Sequence, residues 1–317
     1  MYSLSYVFRF IGIGVFVFIL CQIDYSFLYE SLKKTDIIYF VFALFVVLCF
    51  LVLRSIRWRL LLRNRNIFLK TMDSFTINTA GLFYGFITPG RLGDFSVVYY
   101  LKKMGHPSTE SVAATLIDRV LDVIALFMVC LLGMYVFPSV FNGRFTFACV
   151  LISFILVAFA ILWDRYFGKK TIMIYWNKFA SNRGAQSKIT DKILKAIEDV
   201  LTSLPKCLNK NRFTIISITL LIWVALFFSR YLLVKSLQVE MNIGYLVYCI
   251  ATSMLVTMVP VSIGGFGTRD AVLIYFFSHR GYEKELALVL SFYIVVSYIF
   301  TLLIGLLCIL SHAERKS

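Results

Sequence analysis

Two short stretches of this sequence interrupt apolar segments in the same manner. Thr88-Pro89-Gly90-Arg91-Leu92-Gly93-Asp94 leads into the apolar run Phe95 to Leu101. Pro260-Val261-Ser262-Ile263-Gly264-Gly265-Phe266-Gly267-Thr268-Arg269-Asp270 leads into Ala271 to Phe277. Each sets proline, glycines, an arginine and an aspartate between hydrophobic segments. In hydrocarbon, a broken backbone is tolerable only where protein or a wet cavity satisfies the freed polar groups. Paired interruptions in the two halves of a membrane chain point to a binding site built from discontinuous helices, and so to a carrier.

The membrane setting follows from composition. Of 317 residues, 60% are hydrophobic and 15% charged, and the mean hydropathy is +0.84, unlike a soluble domain. The apolar stretch from Tyr6 to Cys21 lacks a small-residue cleavage site and is followed by further spans, so it reads as a retained helix. Six full spans are expected, near 6–22, 37–53, 111–135, 145–163, 213–234 and 286–310. Each approaches the roughly 20 residues that cross a bilayer core. Segments 74–101 and 244–278 remain, each an apolar stretch, a Pro/Gly break and a second apolar stretch, which is the shape of a re-entrant helical hairpin.

Basic residues orient this arrangement. The 54–73 loop carries Arg54, Arg57, Arg59, Arg63, Arg65 and Lys70, and the 164–212 loop carries eleven basic residues, so both belong in the cytoplasm. The loops with Lys33 and Lys34, with Arg144 and with Lys235 belong outside. The expected fold is therefore an all-α polytopic membrane protein of six full spans plus two opposed re-entrant hairpins, an inverted-topology repeat. Residues 1–140 form the first repeat, with hairpin 74–101 entering from the cytoplasmic side. Residues 145–317 form the second, with hairpin 244–278 entering from outside. The alternative is that both hairpins are kinked full spans, giving eight or more crossings. Both termini are placed in the cytoplasm, with the chain in the cell membrane. Within loop 164–212, Ile189, Ile193, Ile197, Val200, Leu201 and Leu204 recur at helical spacing among charged residues, the pattern of an amphipathic helix on the membrane surface.

Several chemistries lack their signatures. The formal net charge of +15 lies mostly in the assigned cytoplasmic loops and needs no nucleic-acid partner. His106, His279 and His312 are scattered, no cysteine pair has CxxC spacing, and there is no phosphate-binding glycine loop followed by Lys and Ser/Thr. No metal, cofactor or catalytic residue is assigned.

Charges inside the apolar segments are the candidates for function. Asp118 and Asp122, four residues apart in the third span, face the same way, and Arg119 reaches toward Asp122. A lone charge at the bilayer centre costs roughly 3 kcal/mol even on a lenient scale, so these groups face protein or water. They serve either as a structural ion cluster or as the lining of a transport cavity. Arg91 and Arg269 each offer a rigid five-donor fork suited to phosphate. Gly90, Gly93, Gly264, Gly265 and Gly267 let the backbone approach a ligand. Alternatively, Arg91 pairs with Asp94, and Arg269 with Asp118 or Asp270, to satisfy the breaks. Pro89 and Pro260 end the preceding helices, and Asp94 and Asp270 are expected to cap the following ones. Arg54, Arg57, Trp58 and Arg59 read as interfacial anchors at the end of the second span, rather than as a headgroup entrance.

With these motifs in place, the chain resembles the membrane region of the lysylphosphatidylglycerol synthase/flippase superfamily of integral membrane proteins. The resemblance covers most of the chain. It rests on the Thr88–Asp94 motif, on Asp118-Arg119 with Asp122, and on the Pro260–Asp270 motif. The family commonly has Arg-Glu where this chain has Arg269-Asp270, which keeps the charge and shortens the arm. The resemblance implies movement of an aminoacylated phospholipid across the bilayer, with synthesis in a separate cytosolic domain. Only seven residues follow Leu310, so a synthase is expected to be another polypeptide. Relatives have also been linked to polyprenyl- or dolichyl-phosphate glycan pathways and to hopanoid metabolism.

The expected function is translocation of a phosphate-bearing lipid: an aminoacyl-phospholipid, a polyprenyl-phosphate or a lipid-linked sugar. The headgroup would meet Arg91, Asp118, Arg119, Asp122 and Arg269, and the carboxylates leave proton or ion coupling open. The alternatives are a membrane-embedded lipid-modifying transferase, and a non-transporting partner of a synthase or glycosyltransferase. The charge distribution generates a direct test. Single cysteines at positions 36 and 142 of a cysteine-free protein should react with an impermeant thiol reagent in intact cells, and one at position 180 only after permeabilisation. The reverse pattern inverts the orientation.

Overall fold

The structure is a computed structural model and describes residues 29–30, 32–88, 93–140, 211–258 and 267–314. Among the described residues the fold is all-α, with eight helices. In chain order they are α1 (Ile37–Arg63), α2 (Thr71–Ile87), α3 (Ser96–Lys103), α4 (Ser108–Val136), α5 (Arg212–Ser236), α6 (Ile243–Met258), α7 (Thr268–His279) and α8 (Lys284–Glu314).

Local chemistry sets several helix ends. The Asp36 side chain accepts from the Ile38 N–H at 2.9 Å and caps α1. Helix α4 begins behind Pro107, where a missing N–H is no loss, and carries Glu110 in its first turn. Glu110 is ion-paired with Arg65, so the turn after α1 is fastened to the start of α4. Helix α7 begins at Gly267, whose φ of 79° favours glycine, and the Asp270 carboxylate accepts from the Gly267 N–H at 2.9 Å.

The six-span, inverted-repeat expectation is corrected by these helices. Three of them are long and apolar enough to cross a membrane: Ile37–Arg63, Arg212–Ser236 and Lys284–Cys308 within α8. They correspond to the expected spans 37–53, 213–234 and 286–310. The expected span 111–135 is a single helix, α4, of 29 residues, but Asp118, Arg119 and Asp122 interrupt its apolar run and it does not join that group. Helices α2, α6 and α7, at 17, 16 and 12 residues, fall short of a crossing. The expected spans 6–22 and 145–163 and the amphipathic helix in loop 164–212 lie outside the described residues.

The two interrupted segments are each a pair of helices packed on one another, α2 with α3 and α6 with α7. In the second pair, the Tyr245 hydroxyl at the start of α6 donates to the Phe276 carbonyl near the end of α7 at 2.7 Å, so the two run antiparallel. Helix α5 packs most extensively on α1, and α8 on α2. Polar stitches fasten two helices to α1: Ser229 Oγ of α5 donates to the Ala43 carbonyl at 3.0 Å, and Ser74 Oγ of α2 to the Ser55 carbonyl at 3.1 Å.

Apolar side chains bury themselves in two clusters. One contains Ala43, Val46, Leu126, Cys130, Trp223, Leu233, Tyr245, Tyr248, Phe276 and Tyr293. The other contains Trp58, Leu61, Leu62, Ile77, Val97, Leu101, Ala113, Ala114, Ile117 and Ile215. Helix α1 runs from the first cluster to the second, whereas α4 and α5 run from the second to the first. All three therefore pass between the clusters. The outer face of α1 instead exposes Ile37, Ile38, Val41, Phe42, Phe45 and Val52, as a helix facing lipid does.

Gly133 lets Tyr248 of α6 pack directly on α4, because a Cβ there would overlap the Tyr248 ring. Gly133→Ala should therefore destabilise the fold by about 1–3 kcal/mol through forced repacking. The check is the melting temperature of the detergent-purified protein, which should fall relative to wild type. An unchanged value would mean that α4 and α6 separate at no cost.

Candidate functional site

Where α1, α4 and α5 meet between the two apolar clusters, the buried side chains are charged. Arg57 is fully buried and lies at the centre. Its Nε donates to Asp118 Oδ1 at 2.8 Å, its Nη2 to Asp122 Oδ1 at 2.7 Å, and its Nη1 to Thr219 Oγ1 on α5 at 3.3 Å. Asp118 and Asp122 can share one guanidinium because four residues bring them to the same face of α4. Arg54, one turn before Arg57 on α1, lies 3.9 Å from Asp118 and 3.6 Å from Asp122, with no hydrogen bond from its Nε or Nη2 among the described residues.

Arg119 extends the cluster toward the first interruption. Its Nη2 donates to Asp118 Oδ2 at 2.6 Å and its Nη1 to Asp94 Oδ2 at 2.9 Å, with Asp122 at 3.7 Å. The Asp94 carboxylate is turned to Arg119, and the next helix begins behind Phe95. Close approach makes this geometry possible. A Cβ at Gly85 would overlap the Asp94 carboxylate, and one at Gly93 the Tyr84 carbonyl. The Gly93 N–H donates to Thr88 Oγ1 at 2.6 Å, which closes the end of α2. The group sets Arg54, Arg57 and Arg119 against Asp94, Asp118 and Asp122, so the charges balance.

The second interruption forms a smaller group. Arg269 donates to Ser291 Oγ from Nε at 3.0 Å and from Nη2 at 2.7 Å, and its Nη2 lies 3.1 Å from Asp270 Oδ1. Ser291 also hydrogen-bonds to Asp270, and all three residues are buried. Pro89, Gly90, Arg91, Pro260, Gly264 and Gly265 lie outside the described residues, as does any pairing of Arg91.

A cavity of about 260 Å³ opens beside the larger cluster. Its charged lining is Arg54, Asp94, Arg119, Asp122 and Arg230; Val47, Phe50, Leu82, Trp223, Leu226 and Leu302 supply apolar walls; and Ser297, Tyr298 and Thr301 come from α8. Apolar walls with a few convergent polar groups are the usual make-up of a small-ligand site. Asp118 lies behind this surface, and Arg269 and Asp270 are not among the lining residues. No group of three or more His, Cys, Asp and Glu residues able to hold a metal occurs among the described residues.

Three contributors differ from the sequence reading. Arg54 and Arg57 are not interfacial anchors: they are 4% and 0% exposed because α1 continues to Arg63 and carries them inward. Arg59 remains half-buried and fastens the following turn, donating to the Leu69 carbonyl at 2.9 Å and to Thr71 at 2.8 Å. Arg230 falls in the interior of the expected span 213–234 and has no role in the sequence reading, although a single arginine in an apolar run is itself a functional signal.

Removal of Arg57 tests whether the cluster holds the helices together. Arg57→Met leaves buried carboxylates without their main donor and should cost about 3–5 kcal/mol of stability. Arg57→Met with Asp118→Leu removes one charge of each sign and should recover a substantial part of that loss. Thermal unfolding of the single, reciprocal and double variants in detergent measures the coupling, and additive losses would mean that the pair does not act as a unit.

Comparison with known proteins gives concordant matches. The family model for the lysylphosphatidylglycerol synthase TM region matches residues 6–305. A UPF0104 membrane protein of Methanocaldococcus jannaschii is 25% identical over 321 residues, covering 93% of this chain and 92% of that protein. UPF0104 membrane proteins of Methanothermobacter thermautotrophicus and Pyrococcus horikoshii are 23% and 24% identical, each covering 81% of this chain and 80% and 82% of their own lengths. No solved structure matches the chain.

Proposed function

The chain belongs to the family of lysylphosphatidylglycerol synthase TM regions and is a multi-pass membrane protein, and from that premise we propose that it translocates a phosphate-bearing lipid across the cell membrane. The observation that carries this reading is the cavity of about 260 Å³, walled by apolar side chains and by buried charges of both signs, beside helices able to cross a bilayer. A space of this size suits a headgroup and not a whole lipid. The polar group enters while the acyl or prenyl tails stay among the bilayer tails.

Arginines meet the phosphate in place of water, so the anion is not left unpaired in an apolar medium. Aspartates of the same lining can receive a cationic substituent such as an aminoacyl amine. The lipid is moved and not altered. Transport follows a lipid gradient or is coupled to a proton or ion through the carboxylates. Both termini lie in the cytoplasm, and an aminoacylated lipid would be supplied by a separate synthase.

Purified full-length protein in sealed vesicles, with a trace of headgroup-labelled phosphatidylglycerol or of a polyprenyl phosphate, gives the test. The expected result is faster exchange of label between leaflets than in protein-free vesicles, with the lipid recovered chemically unchanged. Rates equal to protein-free vesicles for every phosphate-bearing lipid overturn the reading. Recovery of a modified lipid assigns the chain to a transferase.

A further inference from the structure

Arg230 is the sole charged residue of α5 between Arg212 and Lys235, and it is only 3% exposed. A guanidinium does not lose its proton in a protein, so the charge stays wherever the helix carries it. The other buried arginines of this region have carboxylate partners: Arg54, Arg57 and Arg119 face Asp94, Asp118 and Asp122, and Arg269 faces Asp270. Arg230 forms no ion pair with a carboxylate among the described residues. Its Nη1 donates to Ser297 Oγ at 2.7 Å, and its guanidinium lies 5.6 Å from the ring centre of Tyr298. Arg230, Ser297 and Tyr298 all line the cavity, where three arginines stand against two aspartates, Asp94 and Asp122.

Leaving one cation uncompensated in such a place costs several kcal/mol, and a hydroxyl and a ring face offset only part of that. An ionisable side chain kept unpaired inside a membrane bundle marks the path of a charged ligand. We propose that Arg230, together with Ser297, is the anion subsite of the cavity and holds the phosphate of a lipid headgroup. The one surplus positive charge matches the single negative charge of a phosphodiester. This assignment rests on the proposed reading of the cavity as a headgroup site. The arginines then divide between two roles, with Arg54, Arg57 and Arg119 neutralising the protein's own carboxylates and Arg230 kept for the ligand.

The test compares melting temperatures of the detergent-purified full-length protein with added dioctanoyl phosphatidylglycerol, dioctanoylglycerol or inorganic phosphate. Dioctanoyl phosphatidylglycerol should stabilise the wild type in a concentration-dependent manner, and dioctanoylglycerol, which lacks the phosphate, should not. Arg230→Met should melt no lower than wild type without ligand, because it removes a buried charge that has no carboxylate partner among the described residues. Its apparent affinity for dioctanoyl phosphatidylglycerol should be weaker by about tenfold or more, the loss expected for a charge-assisted hydrogen bond. If Arg230→Met is not recovered folded, Arg230→Gln carries the same comparison.

Wild-type affinity in the neutral variant overturns the subsite. So does a lower ligand-free melting temperature with the lipid response intact, the behaviour of a purely structural arginine. Equal stabilisation by inorganic phosphate, lost in Arg230→Met, upholds the subsite and identifies its ligand as free phosphate, which counts against lipid translocation. Absence of label exchange in vesicles, with the Arg230-dependent lipid response retained, likewise defeats translocation and leaves the subsite standing.

Discussion

A guanidinium that cannot be deprotonated, placed where water does not reach, obliges everything around it to supply acceptors. Arg57 meets that demand with Asp118 and Asp122 from α4 and Thr219 from α5, so one side chain of α1 fixes how three helices meet. The carboxylates then have capacity left, which Arg54 and Arg119 fill, and Arg119 reaches on to Asp94 beyond the end of α2. The apolar clusters on either side supply most of the buried area without choosing a unique register for smooth helices. Directional bonds among the charged residues choose it. Desolvating six charges is costly, and replacing such a cluster with apolar side chains is often neutral or stabilising in proteins at large. Here the same residues also furnish one wall of a cavity.

Much of this was legible in the residues, and the reasons differ from element to element. Helices α1, α5 and α8 follow from long apolar runs. The pairing of α2 with α3 and of α6 with α7 follows from proline and glycine in the sequence between them, which neither helix interiors nor lipid tolerate without compensation. Asp118, Arg119 and Asp122 declare themselves as charges in an apolar run, although the same charges keep α4 out of the group of helices apolar enough to cross. The six-span count erred there, and two more of its spans, 6–22 and 145–163, lie outside the described residues.

Arg54 and Arg57 were hidden by their position. They follow an apolar run and precede further basic residues, which is the pattern of an interfacial end, but arginine is a good helix former and α1 continues for nine residues past Arg54. Charge arithmetic could have exposed them. Asp118, Arg119 and Asp122 sum to −1, so a buried cation had to come from another helix. Arg230 carried the complementary signal, a lone cation in an apolar run. Asp94 depended on a contact with Arg119 across the fold, which no local pattern encodes.

The placement of the ionic cluster between two apolar clusters has a consequence for how the protein responds to its solution. Ion pairs on a surface weaken as electrolyte is added, because mobile ions gather around them within a screening length of roughly 8 Å at physiological ionic strength. Mobile ions have no comparable access to Arg57 and Asp118, which are fully buried. The cohesion of α1, α4 and α5 is therefore ionic in origin and largely indifferent to ionic strength. A concentrated buffer leaves this girdle intact, whereas a detergent that lets water between the helices dissolves it, because hydration competes for every donor and acceptor at once.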